Sequence, residues 1–236
     1  MAALVREELR SLVRPGIETR EMNAFVEKRL AKLGGKPAFK GYRGYPASVC
    51  VSVNEEVVHG IPGQRRLAAG DLVSVDVGVE YKGFFSDTAF SSGAGEINGA
   101  TATLMTVTRA ALWEGISRAR EGNHVSDISN AVQKFVEARG FSVVRDFVGH
   151  GIGRHLHEEP QVPNYGASGQ GMVLKAGQML AIEPMVNEGG AAVRVLDNGW
   201  TAVAVDGRRS AHFEHTVLVT QGDPEVLTLA EGEALA

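Results

Sequence analysis

Asp76 and Asp87 stand eleven positions apart in a stretch that reads as a hairpin. From Leu72 to Glu80 the residues alternate. Val73, Val75, Val77 and Val79 share one face; Ser74, Asp76, Gly78 and Glu80 share the other. Tyr81-Lys82-Gly83 supplies a reversal, and residues 84–90 can return as the partner strand. A two-residue loop at Tyr81-Lys82 would set the carboxylates directly opposite, with Cβ atoms ~5 Å apart; a bulge would shift the pair by one position. Facing carboxylates repel, and aspartate is a poor strand former. On a wet outer face the repulsion would be weak. A divalent cation between them would turn it into attraction.

Three more residues fit the same chemistry. His150 opens a segment running to Pro160 that holds three of the seven histidines: His150, His155 and His157. Glycines at 149, 151 and 153 are expected to keep this segment loose and let it approach a ligand. It is neither a phosphate loop nor a His-Glu-x-x-His helix. A polar loop with satisfied imidazoles is the plain alternative. Glu183 follows the apolar run Met179–Ile182, and Glu214 leads into Val217-Leu218-Val219. A carboxylate at the end of a buried strand is costly unless paired or metal-bound. Arg194 is a candidate partner for Glu183. Four carboxylates and one imidazole are too many for one zinc. They suit two metals sharing bridging carboxylates, with Mn(II), Fe(II) or Co(II) favoured, and hence metal-assisted hydrolysis.

The elements that must position these residues can be read around them. Residues 2–13 form an amphipathic helix closed by Arg14-Pro15-Gly16. Thr19 is a candidate cap for a second helix carrying Met22, Phe25, Val26, Leu30 and Leu33, with Gly34 ending it. Residues 101–119 predict a third helix, and Ser126 caps a fourth that ends before Gly140. Strands are expected at 48–53, 72–79, 178–182, 192–196, 201–205 and 216–220, with Asp197-Asn198-Gly199 as a hairpin turn. The order helix, helix, strands thus occurs twice. A shift of 106 superposes Gly16 on Gly122 and Gly34 on Gly140. A shift of 107 superposes Leu67 on Leu174, Gly70 on Gly177 and Asp76 on Glu183. Two such halves, roughly 1–97 and 98–236, would bring Asp76 and Glu183 to a common pseudo-twofold axis. No flexible linker separates them, so residues 1–236 are expected to form one α+β domain.

Composition narrows the class. Apolar residues make up 44% and charged ones 22%, which argues against disorder. The net charge of −4, with both signs scattered, disfavours nucleic acid as a partner. The single cysteine, Cys50, excludes an intrachain disulfide and a zinc–thiolate cluster. Charges at Arg6, Glu7, Glu8 and Arg10 interrupt any signal-peptide core. No run approaches the ~18 apolar residues of a membrane span. A cytoplasmic location with no membrane partner is expected.

The five spaced ligands, together with Asn54–Pro62 around His59, Ser86-Asp87-Thr88, Gly149–Pro160, Ile182–Met185 and Phe213–Thr216, resemble the methionine aminopeptidases. These share the pita-bread fold with aminopeptidase P, prolidase and creatinase. The similarity spans nearly the whole chain and fits the short, type I bacterial form. It implies a fold of two pseudo-symmetric halves with antiparallel sheet covered by helices. It implies removal of N-terminal methionine from nascent chains, near the ribosome, by a monomer. It also implies two divalent ions (Co, Mn, Fe or Zn): Asp87 and Glu214 would bridge both, Asp76 would hold one, and His150 with Glu183 the other. Glu183 would carry the proton. His157 would polarise the carbonyl, and His59 would contact the scissile amide. Phe39, Tyr42, Tyr45, Cys50, Leu156 and Trp200 would wall the methionine pocket; without the resemblance they read as plain core. A monovalent cation near Asn54 and Ser210 is implied as well.

Three positions depart from the usual bacterial pattern: His212 where Gln is common, His155 where a small or polar residue is, and Leu156 where Phe is. The same ligand set would serve an Xaa-Pro dipeptidase or aminopeptidase P, though those carry an extra N-terminal domain for which no room is expected here. A binding module on an inactive pita-bread fold would be expected to lose ligands.

Overall fold

The computed structural model describes residues 1–232; the last four positions of the expected second half lie outside the described residues. Helix α1 runs from Ala2 to Arg10 and α2 from Thr19 to Leu33. Met22, Val26 and Leu30 of α2 are fully buried at helical spacing, and Gly34 closes the helix at φ 75°. The cap is Glu18, not Thr19: Glu18 and Glu21 form a reciprocal capping box, while the Thr19 hydroxyl accepts from the Gly63 amide. Helices α3, Gly99–Ile116, and α4, Val125–Glu137, follow. In α4 the cap lies two positions earlier than expected. His124 and Asp127 form the box, and Ser126 Oγ accepts from Gln170 N at 2.6 Å. In both cases a hydroxyl preferred a distant backbone partner to its own helix end.

The acidic hairpin consists of strands Leu72–Tyr81 and Phe84–Gly93. Its valine face is fully buried and packs in the main core with α1, α2, Leu180, Ile182 and Val217. The reversal is Lys82-Gly83, both at positive φ, one position later than expected. The register therefore moves. Asp76 lies opposite Ala89 and Asp87 opposite Gly78, so the two aspartates are diagonal neighbours on one face rather than a direct pair. The other edge of Leu72–Tyr81 pairs with Cys50–Val53, placing Cys50 beside Asp76.

A second antiparallel sheet orders Glu225–Val226, His215–Leu218, Met179–Ile182, Gly149–Gly151 and Glu158–Val162. The segment expected to be loose thus begins as a strand, Gly149–Gly151, at His150. Gly149 and Gly151 serve strand packing, since a Cβ there would lie 2.3 Å from the carbonyl oxygens of Ala181 and Glu159. The two sheets join where Glu214 N donates to Ala89 O at 3.0 Å and Asp87 N to Thr216 Oγ1 at 2.9 Å.

The duplication read from sequence recurs in the backbone. Gly16 and Gly122 both sit at φ 87°; Gly70 and Gly177 sit at 89° and 93°. Gly16 N donates to Leu67 O, and Gly122 N to Leu174 O. Gly70 N donates to Ala94 O, and Gly177 N to Val219 O. The matched glycines and hydrogen bonds are those of two pseudo-symmetric halves.

Candidate metal centre and pocket

The join between the sheets is where the chemistry converges. Ligand atoms of Asp87, His150 and Glu214 all lie within 4.8 Å of one another, and the three residues are buried. Asp76 adds its carboxylate from the hairpin. Glu183 adds another at the end of Met179–Ile182, where Pro184 stops the strand. Arg194 is not its partner. Instead Glu183 Oε1 lies 3.6 Å from His150 Nε2, and Oε2 lies 3.6 Å from His212 Nε2.

Burial raises these acids. Asp76 and Glu214 are pushed well above the carboxylate range by desolvation and by each other's neighbours. Glu183 rises to about 8 and Asp87 to about 6, in both cases chiefly through desolvation. Asp76 Oδ1 and Glu214 Oε1 are buried with no hydrogen-bond partner. Among the described residues no lysine or arginine forms an ion pair with any of the four carboxylates. Orphaned oxygens facing a shared space are what divalent cations satisfy, so the residues present fit a metal centre. His150 fits it too. Its Nδ1 lies 2.9 Å from the Gly151 carbonyl, which can only accept, so Nδ1 carries the hydrogen and Nε2 is bare for a metal.

A cavity of about 150 Å³ opens onto this cluster. The six expected apolar wall residues, Phe39, Tyr42, Tyr45, Cys50, Leu156 and Trp200, all line it, as do His59 and His157. Tyr45 points its hydroxyl at the Gly60 carbonyl, 2.9 Å away, and leaves its ring to the cavity. Trp200 follows the Asp197-Asn198-Gly199 turn, which Asn198 Oδ1 ties to the amides of Trp200 and Thr201 at 2.9 Å. Burial pushes the Cys50 thiol up, so it is a neutral apolar contact. His157 stacks on Tyr42, with Nδ1 2.8 Å from the phenol oxygen, and its ring centre lies 4.1 Å from that of His150. His59 sits at φ 60° between Phe147 and Trp200, and burial lowers it to about 4.

Sequence reasoning missed Arg43, which lines the cavity with its guanidinium 5.4 Å from the Tyr42 ring centre. It also missed Phe147. Arg43 lies between two wall tyrosines, and that adjacency was the available signal.

Behind the metal centre, the buried Arg6 of α1 donates to Thr88 Oγ1 at 3.2 Å, and that hydroxyl donates to the Glu214 carbonyl at 2.9 Å. The first helix thus braces two of the ligand-bearing segments.

Comparison with known proteins agrees with this geometry. Residues 1–221 match the family model of metallopeptidase family M24. The methionine aminopeptidase of Clostridium perfringens is 52% identical over 221 residues, which is 94% of this chain and 89% of the relative. Methionine aminopeptidase 1 of Bacillus subtilis is 47% identical, covering 97% and 92%. The crystal structure of the Thermotoga maritima methionine aminopeptidase superposes with a TM-score of 0.95 at 48% identity, covering 97% and 92%. The Pyrococcus furiosus prolidase shares the fold alone, at 23% identity and a TM-score of 0.78, and this chain spans 60% of it. With that match, and with a buried cluster suited to divalent metal, the chain belongs to metallopeptidase family M24 and, within it, to the methionine aminopeptidases.

Proposed function

We propose that this chain removes N-terminal methionine from peptides and nascent proteins whose second residue is small. The observation that carries the reading is that one cavity is lined both by the apolar wall and by the acidic cluster. A methionine side chain fits the wall, and its first peptide bond then lies against the carboxylates and imidazoles. Asp76, Asp87, His150, Glu183 and Glu214 would hold two divalent ions. Such ions supply Lewis acidity and make water acidic enough to attack at neutral pH.

Glu183 takes a proton from the attacking water and returns it to the leaving amine as the C–N bond breaks. His157 donates a hydrogen bond to the carbonyl oxygen as charge develops there, and His59 contacts the scissile amide. A monovalent cation beside Asn54 and Ser210 is supported by Asn187, paired with Ser210, whose Oδ1 is buried without a donor. The enzyme acts as a monomer in the cytoplasm, close to the ribosome. No helix of the described residues is long and apolar enough to cross a membrane.

A panel of Met-Xaa-Ser and Xaa-Ala-Ser peptides, assayed with defined metals, tests the reading. Met-Ala-Ser should be cleaved, norleucine tolerated, and lysine at position one rejected, since Phe39, Tyr42, Tyr45, Cys50, Leu156 and Trp200 offer a buried ammonium no partner. Faster cleavage of Xaa-Pro peptides lacking methionine would replace it with the prolidase reading.

A further inference from the structure

His212 is fully buried, and its Nε2 has no hydrogen-bond partner. Its main chain is clamped. His212 N donates to Ser91 Oγ at 2.9 Å, and the Ser91 hydroxyl donates to the His212 carbonyl at 2.9 Å. Ser74 Oγ lies 2.7 Å from Ser91 Oγ. The one Ser91 hydrogen is already committed, so Ser74 donates. The imidazole is therefore launched from a fixed point, close enough to Asp87 to feel its charge, and it meets Glu183 Oε2 at 3.6 Å. The other oxygen, Oε1, faces the bare Nε2 of His150. The two oxygens of one carboxylate are thus divided between two imidazoles.

We propose that His212 is a positioning residue for Glu183: its Nε2–H holds Oε2 and keeps Oε1 turned toward His150 and the reacting water. A bare nitrogen at this place would set two buried lone pairs against each other, whereas an N–H compensates both groups. A shift of well under ~1 Å brings the pair into hydrogen-bond range. The inference rests on reading Glu183 as the proton carrier.

His212→Leu and His212→Gln are compared with the wild type and with Glu183→Gln on Met-Ala-Ser, with metal content measured on each. His212→Leu should keep its metal and its KM while kcat falls ~10- to 100-fold, the size of a lost hydrogen bond to a charged group. His212→Gln, which restores an N–H donor, should recover most of the kcat. An unchanged kcat in the Leu variant, no recovery in a folded Gln variant, or metal lost from the Leu variant would each overturn the proposal; the last would make His212 a ligand. If His212→Leu does not fold, 15N NMR of the histidine-labelled wild type decides. The His212 signals are identified by their loss in His212→Gln. A protonated Nε2 supports the proposal and a bare one overturns it. An inactive Glu183→Gln beside a fully active His212→Leu sinks only this inference; an active Glu183→Gln sinks the proton-carrier reading itself.

Discussion

Glu183 and His157 face the same chamber but should fail differently. Replacing Glu183 by Gln removes a metal ligand and the proton carrier, so kcat should fall ~10²-fold or more and metal content should drop. His157→Ala removes a hydrogen-bond donor that lies outside the ligand set. Its kcat should fall by ~10²-fold with metal content intact. Kinetics with elemental analysis on both variants checks this; metal lost from His157→Ala would move that residue among the ligands. Glu183 was legible in the sequence because its burial has no cheap explanation, whereas the role of His157 came only from the resemblance. A carboxylate closing an apolar run must be paired or must bind a cation. Arg43 offered only its place between two wall tyrosines as a signal, since an arginine in a glycine-rich loop breaks no rule. Its place over Tyr42 depends on a backbone at φ 49° that no pattern announces. Leu156 was legible only by resemblance. It is 2% exposed, so Leu156→Phe must displace its neighbours and should change the KM for methionine peptides more than metal binding.

At the level of elements, alternation gave the faces of the acidic hairpin and the turn decided its register. Parity put Asp76 and Asp87 on one face, and that held. The direct pairing failed because Lys82-Gly83, with two positive φ angles, is a better two-residue turn than Tyr81-Lys82. The consequence is functional. With Asp87 opposite Gly78, the space above Gly78 is open, and the Phe39 ring fills it. A Cβ at 78 would come within 2.5 Å of Phe39 Cε1. Gly78→Ala should therefore push Phe39 into the methionine pocket. It should raise KM several-fold, leave metal content unchanged and destabilise the fold by ~1–3 kcal/mol. Peptide kinetics and thermal melts report the two effects separately; an unchanged KM would show that Phe39 does not shape the pocket. The helix caps were misjudged, by one residue in the first half and two in the second, for one reason: Thr19 and Ser126 are spent on the segments at Gly63 and Gln170, contacts far away in sequence.

The whole molecule is two copies of one plan meeting at a cluster of acids, and that junction is stable only when its charge is answered. In the metal-free protein Glu183 is raised to about 8, and Asp76 and Glu214 are raised well above the carboxylate range. A raised acid keeps its proton in the folded state after the unfolded chain has released it. Stability then falls as pH rises toward the folded pKa, by ~1.4 kcal/mol per pH unit for each such proton. The histidines around the site and behind it pull the other way. His59 and His212 are lowered to about 4, and His157 and His215 to about 3, from an ordinary value of 6.5, so their effect is confined to pH below that value. Between pH 6.5 and 8 the carboxylates act alone. Chelated protein should lose several degrees of melting temperature across that interval. Protein loaded with Mn(II) should not, because the cation holds the carboxylates ionised in the fold and its binding releases their protons. Melting curves at the two pH values, with and without metal, give four numbers. A chelated protein whose melting temperature is level or rises between them would mean that the acids are not buried together as the fold places them.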